Sequence, residues 1–171
     1  MIARNQNRRR LPLGRWWTML KLTQSLCPEP ALGLQIGALI EPAHAGVIGY
    51  LVSSSRNLGE ALLNFERFQR LVYEGNPGKL KNDGKWIKLE WGTEYGVATQ
   101  LIDETAMAAF ISFNRRVSNR PNLSPSKVEF INPRPKKTTP YERFFNCPVV
   151  FDAPVTSVQF PVSLLAVGIS S

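Results

Sequence analysis

Between Asn82 and Trp91 the chain reads Asn82-Asp83-Gly84-Lys85-Trp86-Ile87-Lys88-Leu89-Glu90-Trp91, and the hydrophobic period in this run is two. Ile87, Leu89 and Trp91 alternate with Trp86, Lys88 and Glu90 behind the turn signal Asn82-Asp83-Gly84, which predicts a β-hairpin with one face turned to a core. On both sides of it the period is helical. Upstream, Leu58, Ala61, Leu62, Phe65, Phe68 and Val72 share one helical face, and Gly75-Asn76-Pro77-Gly78 stops the element. Asn57 suits its N-cap, Glu60 can reach back as the second half of a capping box, and Glu66 and Arg70 have the spacing of an exposed ion pair. Downstream, a second long helix is expected over about 99–119, with Ile102, Ala106, Ala109, Phe113 and Val117 on one stripe and Pro121 beyond its end.

Toward the N-terminus, short helices are expected over 15–22, where Trp16, Met19 and Leu20 recur at helical spacing, over 31–39, and over 47–52 after Pro42-Ala43-His44-Ala45-Gly46. Toward the C-terminus the chain reads as a strand over 128–131, a Pro-rich loop, a short helix around 141–145, and strands over 149–151 and 157–160. No βα unit repeats. The expected fold is therefore α+β, with several N-terminal helices packed on a mainly antiparallel sheet, as a single domain over 1–171.

The net charge of +8, from 21 Lys and Arg against 13 Asp and Glu, raises the question of nucleic acid. The surplus is local: Arg4, Arg8, Arg9, Arg10 and Arg15 at the start, Lys79, Lys81, Lys85 and Lys88 about the hairpin, and Arg134, Lys136 and Lys137 later. Such runs usually make solvated faces, and no helix-turn-helix pattern accompanies them. No apolar stretch approaches the ~20 residues of a membrane helix, and no secretory signal opens the chain, so a cytoplasmic location is expected. Cys27 and Cys147 stand far apart, with no second thiol near either, and read as reduced thiols.

The chemistry of the side chains points away from catalysis. There is one histidine, His44, so no metal-ligand cluster can be drawn, and no Gly-rich phosphate loop or nucleophile elbow occurs. Asp103 and Glu104 are adjacent on a helix, point in different directions, and are expected to face solvent rather than pair as acid and base. No cofactor and no metal are expected. A ligand pocket with aromatic walls between sheet and helices suits the composition better. Its candidate residues are His44, Tyr50, Trp86, Trp91, Tyr95 and Arg115, with Arg115 as the cation for a ligand carboxylate. Gly33, Gly37, Gly46 and Gly49 read as turn and close-packing positions, and Phe65, Phe68, Phe110 and Phe113 as core.

Several segments in order resemble the N-terminal effector domain of AraC-type transcription regulators, in the branch of the ornithine-utilisation regulators. These are Pro30-Ala31-Leu32-Gly33-Leu34-Gln35-Ile36-Gly37, Gly46-Val47-Ile48-Gly49-Tyr50, 53–62, Val128-Glu129-Phe130-Ile131-Asn132-Pro133-Arg134-Pro135 with Asn132 at a place the family fills with His, Tyr141 to Phe151, and 160–165. The resemblance implies a bacterial effector-binding and dimerisation domain, shortened at both ends. It also implies a small-molecule effector, a homodimer, no membrane, and DNA contacted only through a C-terminal helix-turn-helix domain absent from 1–171. Two other readings stay open: a ligand-free dimerisation or protein-interaction module, and a sensor of an anionic nucleotide held by the Arg4 to Arg10 cluster.

Overall fold

The computed structural model describes residues 13–71 and 75–169. Val72 and the cluster Arg4, Arg8, Arg9 and Arg10 therefore lie outside the described residues. Six helices are present among them: α1 (Leu13–Leu26), α2 (Leu32–Ala38), α3 (Gly46–Ser53), α4 (Leu58–Phe68), α5 (Gln100–Val117) and α6 (Thr139–Phe145). Five strands, β1 (Gly78–Asn82), β2 (Trp86–Trp91), β3 (Lys127–Glu129), β4 (Val149–Val150) and β5 (Thr156–Pro161), form one sheet in the order β1-β2-β5-β3-β4. Every pairing is antiparallel except β3 with β4, which the α6 crossover joins in parallel. The fold is α+β, as the change of period about Asn82 requires.

The alternation in β2 sorts the two faces of the sheet. Leu80, Leu89, Val158, Val128 and Val149 stand in register across all five strands, and Leu89, Val158 and Val128 are buried in the main core. The opposite face carries ions. The Glu129 carboxylate accepts hydrogen bonds from Lys88 Nζ at 2.9 Å, Lys127 Nζ at 2.9 Å and Ser157 Oγ at 2.8 Å. Burial opposes ionisation there, but these three donors outweigh it and hold the Glu129 carboxyl at about 2. The hairpin turn is closed by Asp83, whose carboxylate accepts from the backbone N–H groups of Lys85 and Trp86, with Gly84 at φ +89°.

Helix α5 covers the inner face, with Met107, Ala108 and Ile111 essentially inaccessible, and α2 then packs on its other side. Two glycines one turn apart make that second contact possible. A Cβ on Gly37 would overlap the backbone carbonyl of Thr105 and lie 2.6 Å from the Ala108 Cβ, and a Cβ on Gly33 would lie 2.8 Å from the Leu101 carbonyl oxygen. The helices approach to backbone contact because neither residue carries a side chain.

Two carboxylates take partners other than those expected. Glu66 does not pair with Arg70; its Oε1 accepts from the Leu80 N–H at 2.7 Å and ties α4 to β1, while Arg70 donates to the Tyr95 phenol. The exposed pair yields to the edge strand because β1 offers an N–H that needs an acceptor. At the start of α4, Asn57 caps the Glu60 N–H at 2.9 Å, while the Glu60 carboxylate accepts from the backbone of Arg56 rather than of Asn57.

Replacement of Gly37 by Ala is expected to lower the unfolding free energy by roughly 1–3 kcal/mol through overpacking. Gly14→Ala, in α1 with open space about it, is expected to be neutral or stabilising by up to ~1 kcal/mol. Urea melts of the two variants check the contrast.

Candidate functional site

Helices α3, α4 and α5 do not close completely on one another. They leave a cavity of about 240 Å³ whose walls are Ile48 and Val52 of α3, Ala61, Leu62 and Phe65 of α4, Ala106, Ala109, Phe110, Phe113 and Asn114 of α5, and Trp91 at the end of β2. The space exists because Ala61, Ala106 and Ala109 stand where larger side chains would fill it. The aromatic rings brace one another about it, Phe65 on Phe110 with centroids 5.7 Å apart and Trp91 edge-on to Phe110 at 5.9 Å. Among the described residues no charged side chain lines it. Of its polar residues, Gln69 spends its amide on the Gly78 backbone, donating to the carbonyl at 2.6 Å and accepting from the N–H at 2.7 Å. Asn114 donates to the Phe110 carbonyl at 2.7 Å.

A second cavity, about 350 Å³, lies on the other side of α5, where the segment before α2 meets Pro135, Lys136, Lys137 and Tyr141. Glu104 is in its wall. The expectation that Asp103 and Glu104 face solvent is overturned: they are 8% and 3% exposed. Helix α5 is covered by the sheet on one side and by α2 on the other, so side chains that diverge by one residue's rotation are both enclosed. Asp103 accepts from the Thr156 hydroxyl at 2.7 Å. Glu104 accepts from the Gln100 amide at 2.8 Å, from the Gly33 N–H at 3.2 Å and from the Tyr141 hydroxyl. Burial pushes the Asp103 carboxyl up to about 6 despite that hydrogen bond, and raises Glu104 as well. Burial and the Glu104 carboxylate together raise the Tyr141 phenol.

A sequence profile of the N-terminal arabinose-binding domain of AraC transcription regulators matches residues 3–168. The chain belongs to this family. An ornithine utilization regulator of Pseudomonas aeruginosa is 31% identical over 146 residues, which is 83% of the chain and 42% of that protein. The chain thus spans less than half the length of this relative. The crystal structure of the transcriptional regulator CdpR from Pseudomonas aeruginosa superimposes with a TM-score of 0.64 at 18% identity, over 95% of this chain and 52% of that one, a likeness of fold. The resemblance carried by the glycine-rich N-terminal segments and the Asn132-Pro133-Arg134-Pro135 turn is that of a family member. AraC-type membership makes this a regulatory ligand-binding domain, and these relatives are regulators rather than enzymes.

Within the AraC-type domain, the six residues singled out from sequence do not meet at one place. Trp91 lines the apolar cavity. His44 is exposed, and its Nδ1 accepts from the Glu41 N–H at 2.9 Å in the 3-10 turn before α3. Tyr50 is 73% exposed on the outer face of α3. Trp86 lies under the Lys85 ammonium at 5.4 Å, and the exposed Tyr95 accepts from Arg70 at 3.2 Å. Arg115 donates to the carbonyls of Leu123 and Phe144, each at 2.8 Å, and so ties the end of α5 to α6. Phe65, Phe110 and Phe113, read as core, are partly buried and form the cavity's walls. The sequence carried one hint of this: on the stripe Ala106, Ala109 and Phe113 two small residues adjoin a large one, which leaves room on that face.

The buried carboxylates have a consequence for pH. Because Asp103 titrates at about 6 in the fold against 3.8 unfolded, its burial penalty is absent below pH 4, grows as pH rises from there to 6 and is fully present above it. Its size is roughly 3 kcal/mol by the conversion of pKa to free energy. Asp103→Asn keeps an acceptor for Thr156, so at pH 7.5 the variant is expected to melt at or above the wild-type temperature, the gain vanishing at pH 4. Paired calorimetric scans at the two pH values check this; a loss of stability at pH 7.5 contradicts it.

Proposed function

We propose that residues 1–171 form a single effector-sensing and dimerisation domain of an AraC-type regulator, whose effector is a small, neutral, predominantly apolar metabolite held in the cavity between α3, α4 and α5. The observation that carries this reading is a recessed space of about 240 Å³ with aromatic and aliphatic walls and, among the described residues, no charged side chain, in a chain of this family. A cavity of ~150 Å³ accepts benzene, so this one suits a ligand of about ten heavy atoms. Trp91 is the member of the sequence-derived set we assign to that site. Arg115 is not on the wall and its guanidinium already has carbonyl partners, which favours a ligand without a carboxylate.

The effector would act on DNA through a helix-turn-helix domain outside 1–171, in a cytoplasmic homodimer. Among the described residues no single helix is long and apolar enough to cross a bilayer. The alternative of a ligand-free dimerisation module differs in one respect: its stability would respond to its own concentration and not to small apolar molecules.

Cyclohexanol, as a neutral probe, is expected to raise the melting temperature at millimolar concentration and to change tryptophan emission through Trp91. Saturation at a hundredfold excess over Kd corresponds to about 2.7 kcal/mol. Ala109→Leu, which fills the cavity, is expected to abolish both responses while leaving the fold intact by circular dichroism. Absence of any shift with cyclohexanol and with a panel of neutral apolar probes counts against the reading.

A further inference from the structure

Glu104 presents a problem of charge. Its side chain is 3% exposed, and all three of its hydrogen-bond donors, the Gln100 amide, the Gly33 N–H and the Tyr141 hydroxyl, are neutral. Among the described residues no Lys, Arg or His pairs with it, nor with the adjacent Asp103, although ion pairs are plentiful on the outer face of the sheet. An ionised carboxylate out of water without a cation is among the costliest arrangements a fold can hold. Burial raises the Glu104 pKa accordingly.

The same carboxylate lines a cavity of about 350 Å³ that is open to solvent, beyond the helix from the apolar one. A fourth acceptor position remains on its two oxygens after the three donors are counted. Lys136 and Lys137, both exposed and without an ion pair among the described residues, line the same cavity, as do the apolar Leu32 and Leu101. The remaining acid of the wall, Glu29, is exposed and accepts from the Gln35 amide at 3.1 Å.

We infer that this cavity is a second binding site, for a small amino-carboxylate whose ammonium group is received by Glu104 and whose carboxylate is received by Lys136 and Lys137. An ammonium supplies the missing counter-charge and donates to the free acceptor position; a charge-assisted hydrogen bond of this kind is about twice as strong as a neutral one. The lysines disfavour a second cation at the mouth, so the site discriminates against diamines. A carboxylic acid without the amine would leave Glu104 as it is. The site is separate from the apolar cavity and does not rest on the effector reading of that cavity.

The test is isothermal titration of the whole chain with a chain-length series, glycine, 4-aminobutyrate and 6-aminohexanoate, alongside butylamine, butyrate and putrescine. At least one amino-carboxylate is expected to bind tenfold or more tightly than any of the three controls. Glu104→Gln is expected to remove the advantage over butyrate, and Lys136→Ala with Lys137→Ala the advantage over butylamine. The lysines are on the surface, so this double variant folds whether or not Glu104→Gln does. Equal affinities for the amino-carboxylates and the controls overturn the proposal, as does a preferred amino-carboxylate whose binding the lysine double variant leaves untouched.

Discussion

The contact between α2 and α5, made backbone to backbone through Gly33 and Gly37, is the constraint from which most of the interior follows. A helix lying on a sheet ordinarily keeps one polar face for solvent. Here α2 comes so close that α5 has almost none, and Asp103, Glu104, Thr105, Ser112 and Asn114 are all buried with it. The polar groups must then be satisfied inside. Thr105 and Asn114 turn back on their own helix, to the carbonyls of Leu101 and Phe110, while the two carboxylates reach other elements, β5 for Asp103 and α2 and α6 for Glu104. Tyr141, fully buried at the start of α6, is held against the core by the bond to Glu104 and by edge-on packing with Phe151.

Helix α5 thereby faces a cavity on each side. Ala106, Ala109, Phe110 and Phe113 look into the apolar cavity, while Leu101 and Glu104 look into the polar one. At about 100° per residue, positions 104 and 109 are some 140° apart on the helix. A ligand in either cavity would press on the same rigid cylinder. If the two sites communicate, the coupling is reciprocal by thermodynamic necessity, each ligand altering the affinity of the other by the same factor.

The fold was largely legible in the sequence, because the signals were local: the period of two after Asn82, the cap at Asn57, the stripes of α4 and α5. The candidate site was legible only in part. Trp91 was chosen for its place at the end of the hairpin and lines a cavity, but the residues opposite it looked like core, and core and cavity wall have the same apolar spacing. Arg115 and the pair Asp103 and Glu104 illustrate the converse. Arg115 read as a pocket cation and the adjacent carboxylates as surface groups, and only the tertiary fact of α2 against α5, together with the carbonyls of Leu123 and Phe144, gives them their internal partners. Glycine at 33 and 37 was recognised as a close-packing signal; what it packed against is not a local property.

The contrast between the two cavities bears on which ligand charge each could hold. In the apolar cavity an ionised group would forfeit its hydration for walls that offer almost no uncommitted hydrogen-bonding groups, since both faces of the Gln69 amide are occupied by Gly78. The effective cost is several kcal/mol. Burying apolar surface gains about 25 cal/mol per Å², so a charged group would offset the burial of more than a hundred Å² of hydrocarbon, most of what a ligand of this size possesses. In the polar cavity the sign reverses: the protein has already desolvated a carboxylate, and a ligand cation that meets it recovers part of a penalty incurred on folding. Selectivity in a domain with so few charged interior groups therefore lies less in the number of contacts than in which side of α5 a molecule's charge allows it to occupy.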